Sequence, residues 1–305
     1  MILKTGFNIK LDVQQTTVRT SSGEALELGG VSETLMIPLW CRAIESRRRR
    51  GILRDPKAIE IVESLDYDFE GRLAHARRLA FRACLRTAMI DRWVREFLRR
   101  HAGRATIVEV GTGLNTRFER VDEGTLRWFD VDLPDSLALR RRFFADAPRR
   151  TMVEGAFGDS DWLDGLAAGN SPILFVVEAV LVYLDEAQVR RGLAAIAAAY
   201  PGAEIIFDTV RTSAITKVER PMMRSYDAPF VWGCDDPRTI ETWGNYRWIE
   251  SSTMAELPRE LLRRVPLEHR LALPWLRLRR PELLRAHALH RFALESGESG
   301  GRPLS

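Results

Sequence analysis

The sequence has few cysteines, and they do not form a disulfide pattern. Cys41, Cys84 and Cys234 are odd in number and far apart among 305 residues, which argues against a disulfide framework and favours a reducing compartment. Long apolar runs are also missing, since no segment approaches the ~18 apolar residues of a membrane-spanning helix. The N-terminal segment MILKTGFNIKLD lacks the apolar stretch of a secretory signal. We therefore expect a cytoplasmic protein with no membrane partner.

The sequence also lacks the features that accompany nucleic-acid or metal binding. Its pI of about 9.2 comes mainly from arginine, with runs at Arg47–Arg50 and Arg140–Arg142, but no interleaved aromatics or recognisable module accompany them. Such runs are typical of solvated helix faces, and the basic charge would draw anionic small substrates. His287 and His290 are three residues apart but have no further candidate ligands beside them. We expect neither a nucleic-acid partner nor a metal.

After Gly103 the sequence alternates between strand and helix patterns. This alternation predicts an α/β fold around a mostly parallel sheet of about seven strands. The segments with strand character are 107–110, 126–130, 151–154, 172–180, 203–210, 246–252 and 288–296. The hydrophobic content of 45% suffices for the core of one large domain. We divide this domain into an N-terminal arm and helical cap, residues 1–102, and a sheet core, residues 103–305.

The segment before the sheet is mostly helical by pattern. The predicted helices are Val31–Arg50, Lys57–Leu65 and Leu73–His101. Residues 1–30 fit either a loose arm or a short hairpin. Two later segments interrupt the alternation of strands and helices and are predicted to be irregular, namely 211–244 and 271–284. The first of them is predicted to be a lid or substrate-pocket insert. Residues 297–305 are predicted to be disordered.

The stretch ATIVEVGTGLNTR, residues 105–117, reads as a buried strand, a glycine turn and the start of a helix. Gly111 and Gly113 let the backbone pass close to a ligand, and the following helix would aim free N–H groups at it. A dinucleotide fingerprint requires a third glycine at position 116, where this sequence has Thr116. The turn therefore predicts a nucleotide-type cofactor site that differs from a nicotinamide site.

Carboxylates surround this turn in the sequence. Glu109 lies inside the strand before it, and Asp130 and Asp132 end the next strand, where a ribose-binding carboxylate belongs in such folds. Together with the shortened glycine pair, these residues favour S-adenosylmethionine as the cofactor.

Five motifs then support a resemblance to a known family. They are RAIESRRRRGILRDPKA, LRTAMIDRWVREFL, VEVGTGLNTRFERV, FDVDLPDSLALRRR and VVEAVLVYLDEAQV. In their order and spacing, over residues 32–210, they resemble the leucine carboxyl methyltransferase family, especially its bacterial polyketide O-methyltransferase branch. The resemblance implies a Rossmann-like class I methyltransferase fold that uses S-adenosylmethionine.

The resemblance also implies roles for individual residues. Arg86 would pair with the cofactor carboxylate, Gly111 and Gly113 would approach the methionyl part, Asp132 would hold the ribose hydroxyls, and Glu178 would contact the cofactor from the fourth strand.

Alternatives stay open for some of these roles. Arg82 lies one turn before Arg86 on the same helix face, and Asp130 competes with Asp132. Asn115 replaces the family's aspartate after Gly-Leu. The family's adenine-contacting Asp-Leu pair falls near Ala156-Phe157 here, so Asp159 or the backbone near Gly158 would take that contact. Glu109 completes the predicted cofactor set.

The methyl acceptor is predicted to be a small molecule, polyketide-like, methylated on a carboxylate or alternatively a hydroxyl. A carboxylate with a pKa of about 4 needs no base at neutral pH, whereas a phenol with a pKa of about 10 would want one. No histidine is an obvious base. Arg211 is the candidate to receive an anionic group, and Tyr226, Phe230 and Trp232 would form an apolar wall opposite the helical cap.

Four other functions remain as hypotheses from the sequence. They are methyl esterification of a peptide or protein carboxylate, a non-catalytic binding protein on a cofactor fold, a nicotinamide oxidoreductase, and an RNA methyltransferase, which only the basic charge suggests. The sequence does not predict the oligomeric state.

Overall fold

A seven-stranded sheet forms the centre of the protein in this computed structural model, which describes residues 16–20, 25–28, 30–73, 76–166, 169, 171–215 and 229–295. Its strands are β4 Thr106–Val110, β5 Arg127–Asp132, β6 Arg150–Glu154, β7 Ile173–Val177, β8 Glu204–Val210, β9 Tyr246–Thr253 and β10 His287–Leu294. The strand order is β6-β5-β4-β7-β8-β10-β9. Strands β4 to β8 are parallel, and β10 is antiparallel to both β8 and β9. This sheet, with helices on its faces, confirms the predicted Rossmann-like methyltransferase fold.

The helices of the described residues have the following bounds. They are α1 Gly30–Arg47, α2 Pro56–Ser64, α3 Phe69–Arg72, α4 Ala76–Arg100, α5 Arg117–Val121, α6 Pro134–Arg140, α7 Glu186–Ala199, α8 Thr212–Ala214, α9 Arg259–Leu262, α10 Leu267–Arg279 and α11 Pro281–Leu284. Short 3-10 helices occupy Asp161–Gly165, Leu181–Tyr183, Pro237–Trp243 and Met254–Glu256. None of these helices combines the length and apolar composition needed to cross a membrane.

The N-terminal segment forms a helical cap on the sheet. Helices α1, α2 and α4 pack together beside a small sheet of order β2-β1-β3, with β1 Thr16–Thr20, β2 Ala25–Leu28 and β3 Leu65–Asp66. The antiparallel pairing of β1 with β2 shows that part of the N-terminal arm is a hairpin. Helix α2 begins where predicted because the Asp55 carboxylate accepts a hydrogen bond from the Ala58 N–H, 3.0 Å away.

Two hydrophobic cores cover the two faces of the sheet. Ile107 and Leu174 belong to the core shared with the helical cap, whereas Val108 and Phe175 belong to the core shared with α7. Because successive strand residues point to opposite faces, a strand covered on both sides must be apolar throughout. This explains the continuous apolar runs that identify β4 and β7 in the sequence.

The later inserts differ from the sequence prediction in one place. The prediction of irregular structure over 271–284 was wrong, because α10 and α11 cover most of it. Pro274 favoured an irregular segment, but it sits inside α10 without ending the helix. Much of the predicted lid, residues 216–228, lies outside the described residues, as does 297–305.

Candidate functional site

A cavity of about 250 Å³ opens at the carboxyl ends of the parallel strands, where ligands bind in open α/β sheets. Its wall comes from α1, α4, the glycine turn, the ends of β7 and β8, and the edge of β9 and β10. Its lining includes Leu35, Arg82, Arg86, Met89, Gly111, Gly113, Asn115, Glu178, Tyr183, Asp208, Phe230, Met254 and His287. The helical cap and the strand ends share one cavity. The sequence predicts the cap and the 211–244 insert as the two walls of the acceptor pocket, and of the described insert residues Phe230 lines this cavity.

The glycine turn needs glycine for two reasons. Gly111 and Gly113 have positive φ angles of 70° and 47°, a region that L-residues with side chains rarely adopt. A Cβ atom on Gly111 would lie 2.2 Å from Val180 Cγ2, and one on Gly113 would lie 2.9 Å from Leu35 Cδ2. The turn thus packs closely against the cap and the end of β7 while its backbone lines the cavity.

Asp132 holds this turn in place. Its Oδ2 accepts a hydrogen bond from the Gly113 N–H at 2.6 Å, and its Oδ1 accepts one from the Leu133 N–H at 2.8 Å. Burial raises the pKa of Asp132 more than these hydrogen bonds lower it. Asp132 is not among the residues that line the cavity, but it lies directly behind a residue that does.

Asp130, the alternative ribose-binding carboxylate, is already fully engaged within the protein. It accepts hydrogen bonds from Thr112, Trp128, Arg140 and Arg150 at 2.6–3.0 Å and has no exposed surface. Burial would raise its pKa, but the two arginines outweigh burial and hold the pKa below its ordinary value. The structure therefore leaves Asp132 as the better placed of the two candidates.

Arg86 connects the cap to the ends of two strands. Its Nε donates to Glu178 Oε1 at 2.9 Å, and its Nη1 donates to Asp208 Oδ2 at 3.3 Å. The Thr87 hydroxyl also donates to Glu178, at 2.8 Å. Burial would raise the pKa of Glu178, but Arg86 and Arg117 outweigh it and keep the pKa well below the ordinary range. The cavity wall thus carries a fixed carboxylate beside a fixed guanidinium.

Arg117 lies behind this wall with no exposed surface. It donates to Asp91 at 2.8 Å and also to Glu109 and Glu178. The predicted cofactor residue Glu109 is itself buried inside the sheet, away from the cavity wall, and its Oε2 has no hydrogen-bond partner among the described residues. Burial raises the pKa of Glu109 to about 7 despite Arg117. Arg117 and Glu109 therefore lie behind the cavity wall and support it, but they do not line the cavity.

Asn115 lies between two of these carboxylates. Its amide nitrogen donates to Glu109 at 2.9 Å and to Glu178 at 3.3 Å. An aspartate there would place a third carboxylate against two others in a buried setting, where like charges repel strongly. The amide instead supplies a neutral donor between them.

A second buried network ties the glycine turn to the cap. Arg42 donates to Asp55 at 2.8 Å and to the Leu114 carbonyl at 2.7 Å. Arg120 donates to Asp55 at 3.1 Å and to Asp91 at 2.7 Å. The sequence predicts Asp55 only as part of the start of α2, and it assigned no role to Arg42, Asp91, Arg117 or Arg120. The available signal was that each is a charged residue inside one of the five motifs.

The predicted acceptor residues separate in the structure. Phe230 lines the cavity and forms a T-shaped contact with Tyr183, with ring centroids 5.3 Å apart. Trp232 is buried against Trp243 in the core on the α7 face instead. Arg211 is exposed and outside the cavity wall, and Tyr226 lies outside the described residues.

Asp159, the predicted adenine contact, is exposed and does not line the cavity. Its carbonyl accepts a hydrogen bond from Trp162 Nε1 at 3.0 Å. Its role stays a prediction. Over the ranges that the structure describes, no group of three metal-ligating side chains is arranged to hold a metal ion.

Two further polar residues line the cavity: Arg82, the alternative to Arg86 in the sequence prediction, and His287, to which the sequence assigned no role. Arg82 lines the cavity one helical turn from Arg86, and no hydrogen bond or ion pair joins it to any other described residue. His287 begins β10 opposite Val210, the last residue of β8. Because β10 runs antiparallel to β8, its first residue reaches the same edge as the carboxyl ends of the parallel strands.

The chain resembles known proteins over most of its length. The family model described as leucine carboxyl methyltransferase matches residues 36–197. The tetracenomycin polyketide synthesis O-methyltransferase TcmP of Streptomyces glaucescens is 33% identical over 223 residues, 72% of this chain and 81% of that protein. The S-adenosyl-L-methionine-dependent methyltransferase dpfgK of Gibberella zeae is 29% identical over 247 residues, 72% and 83% of the two chains. Among solved structures, the N-methyltransferase NodS of Bradyrhizobium japonicum with S-adenosyl-L-homocysteine is 16% identical, covers 66% of this chain and 86% of its own, and has a TM-score of 0.38.

Proposed function

The chain belongs to the leucine carboxyl methyltransferase family and is an S-adenosylmethionine-dependent methyltransferase, and from this premise we propose that it methylates a carboxylate oxygen of a small, largely apolar molecule. The observation that carries the acceptor class is Arg82, a cation without an ion-pair partner among the described residues. It lies in a cavity whose other lining includes Leu35, Met89, Phe230 and Met254. An acceptor with an apolar body and one carboxylate satisfies both features.

The residues beside the cavity fit the cofactor. The Gly111–Gly113 backbone lines it, and Val180 and Leu35 fill the space beside the two glycines, so only glycine allows the turn to pack this closely. The wall also offers the anionic Glu178 and Asp208 next to the cationic Arg86. This donor set complements a ligand that carries an ammonium, a carboxylate and a sulfonium together.

We assign the cofactor-holding roles accordingly. Arg86 would grip the cofactor carboxylate, the glycine turn would approach the methionyl part, Asp132 would hold the ribose hydroxyls, and Glu178 would face the cationic end. Arg86 is already positioned by Glu178 and Asp208, so it need not be ordered on binding. These assignments rest on position and on charge complementarity.

When bound, S-adenosylmethionine supplies a methyl group that its sulfonium has already activated for displacement. The residues of the chain then have to align the acceptor oxygen with the methyl group, complement the charges of the cofactor and the acceptor, and exclude water. Arg82 would orient the acceptor carboxylate, and Phe230 with Tyr183 would cover its apolar body. A carboxylate acceptor is ionised at neutral pH, so no residue has to remove a proton.

A hydroxyl acceptor is the second candidate, and His287 is the observation that favours it. The residue lines the cavity near the carboxyl end of β8. A phenol would need a base, and imidazole is the side chain most suited to proton transfer near neutral pH. In that case turnover would be lost in His287→Ala, whereas methylation of a carboxylate acceptor would not require the imidazole.

The polyketide-like nature of the acceptor is likewise a proposal, supported by TcmP, whose name refers to tetracenomycin polyketide synthesis. Peptide and protein carboxylates remain the alternative, as the family description refers to leucine carboxyl groups.

The test is methyl transfer to matched acceptors. The purified chain is incubated with methyl-labelled S-adenosylmethionine and pairs of polycyclic aromatic acceptors, identical except that one carries a carboxylate and the other a phenol. Mass spectrometry should find the methyl ester and little ether. Ether formation alone, abolished by His287→Ala, would overturn the carboxylate proposal in favour of the hydroxyl one. Transfer to a peptide C-terminus but to neither small acceptor would overturn both.

A further inference from the structure

Helix α10 presents a continuous apolar stripe to solvent. Leu267, Leu271, Trp275 and Leu278 are 56%, 70%, 59% and 78% exposed. At 3.6 residues per turn these four side chains fall within an arc of about 80° on one side of the helix. They extend over ~16 Å of its length. Large contiguous apolar patches on a protein surface usually mark an interaction site rather than chance exposure.

The stripe is held outward by its own helix. Leu273, on the far side of α10, is buried, and so are Leu261 and Val265 just before it and Leu284 just after it. The His269 ring also stacks on Phe81 of α4, with ring centroids 4.6 Å apart. The inner face of the segment therefore packs against the rest of the protein. The apolar side chains on the opposite face cannot be buried at the same time and stay exposed.

Positive charge concentrates in the same segment. Between Arg259 and Arg285 there are eight arginines and three glutamates, a net charge of +5, while the entire chain carries +4. All eight arginines are exposed. Arg270 and Arg277 border one side of the stripe and Arg279 the other, by helical spacing. The segment therefore carries the net positive charge of the chain, because the remaining residues together have a net charge of −1.

We propose that α10 docks the enzyme on an anionic lipid surface, with the apolar stripe at the acyl boundary and the flanking arginines at the headgroup phosphates. A helix with an apolar face containing Trp and Leu, bordered by arginines, is the form that interfacial helices take. Arginine stems can lie along the acyl boundary while their guanidinium groups reach phosphate. The prediction of no membrane partner rested on the absence of a spanning run, which a surface helix does not need.

Two other occupants fit the observations less well. A second copy of this chain would bring another net charge of +5 against the first, so like charges would oppose self-association. An acidic protein would match the charge, but it would need a groove shaped to a single convex helix. A bilayer accommodates a convex helix without such a groove and supplies phosphates on both sides of the stripe.

The placement of the surface is also consistent with the cavity. Phe81, which stacks on α10, immediately precedes the cavity residue Arg82, and α11 contacts the 3-10 helix that begins at the cavity residue Met254. Docking through α10 would bring the cavity close to the bilayer, where apolar molecules partition. The lipid surface is inferred from α10 alone and does not depend on which acceptor group is methylated.

The test is co-sedimentation of the full chain with vesicles of phosphatidylcholine alone or mixed with phosphatidylglycerol, at about 50 mM salt. Binding should require the anionic lipid and should weaken at about 500 mM salt, because screening shortens the reach of the arginine charges. Arg277→Glu with Arg279→Glu should lower the lipid partition coefficient by at least about tenfold. Arg104→Glu, an exposed charge reversal elsewhere, should change it little.

The apolar stripe is tested separately by fluorescence. Trp275→Phe should keep vesicle binding but lose much of the blue shift that the wild-type protein shows on binding, whereas Leu271→Glu should lose binding itself. Unchanged S-adenosylmethionine binding in these variants would show that they are folded.

Three results would overturn the proposal. The first is no sedimentation with anionic vesicles at low salt. The second is a wild-type dimer, measured by light scattering, that Leu271→Glu converts to a monomer, because the stripe would then be a self-association face. The third is retention on lipid-free polyglutamate without vesicle binding, which would assign the surface to an acidic protein.

Discussion

Arg86 on α4 donates a hydrogen bond to Glu178 at the end of β7 across 2.9 Å, although 92 residues separate them along the chain. The pair fixes the helical cap against the sheet at the edge where the cofactor is proposed to bind. The same carboxylate also receives Arg117 from behind the glycine turn. Cap docking and the charge of the cavity wall therefore depend on shared residues.

Replacing Arg86 and Arg82 in turn should separate cofactor binding from acceptor binding. Arg86→Met should lower S-adenosylmethionine affinity by about 1.5–3 kcal/mol, the scale of hydrogen bonds to charged groups. Arg82→Met should leave that affinity within about twofold but raise KM for a carboxylate acceptor about tenfold. Calorimetry and initial rates measure the two effects. If Arg82→Met weakens cofactor binding more than Arg86→Met does, the two roles are exchanged.

A second pair, Asp132→Asn and Asp130→Asn, should separate ligand binding from stability. Asp132→Asn should cost about 1.5–3 kcal/mol of cofactor affinity. It should destabilise the fold less than Asp130→Asn does, because it loses one backbone hydrogen bond but no ion pair. Asp130→Asn removes the charge that faces the buried Arg140 and Arg150, so it should destabilise the fold by about 3–5 kcal/mol. Calorimetry and urea unfolding provide the readouts. Unchanged affinity in Asp132→Asn would move the ribose contact to another residue.

Glu109 should make the folded state less stable as pH rises. Its pKa is about 7 in the folded protein, above its ordinary value of 4.5, so the folded state holds the proton more tightly than the unfolded state does. The contribution is fully present below about pH 4.5 and is lost as pH rises through about 7. Glu109→Gln cannot titrate, so its unfolding free energy should fall less than that of the wild type between these pH values. Equal slopes in urea unfolding series across this range would contradict the assignment.

The aromatic pair Phe230 and Trp232 should respond differently to truncation. Phe230 lines the cavity, so Phe230→Ala should reduce acceptor turnover while cofactor affinity stays nearly intact. Trp232 is buried in the core beside Trp243, so Trp232→Ala should cost about 3–5 kcal/mol of stability. Steady-state rates and thermal unfolding distinguish the two outcomes. Full turnover in Phe230→Ala would place the acceptor elsewhere in the cavity.

Much of the fold could be predicted because its signals are local. The apolar runs of β4 and β7, the cap residue Asp55 before α2 and the glycine turn each depend on a few neighbouring residues. These signals are hydrophobic periodicity, helix capping and φ preference, and each involves only residues close together in the sequence. They can therefore be recognised without knowing which segments the element packs against. Pro274 led to the wrong prediction of irregular structure over 271–284. Proline usually ends a helix, but here the packing of α10 on the cap outweighs that local preference.

By itself, then, the sequence determined the sheet core, the glycine turn and the set of charged residues that surround the cofactor site. Only the tertiary structure decided which partners each member of a pair has. Asp130 and Asp132 lie on the same side of one strand, and Arg82 and Arg86 lie one turn apart on one helix, so periodicity cannot separate them. Their partners, Arg140 and Arg150 for Asp130 and Glu178 and Asp208 for Arg86, come from other elements. Such ion pairs depend on the distances between segments that are far apart in the sequence. Only folding brings these segments close together, so the sequence pattern alone cannot show which charges pair.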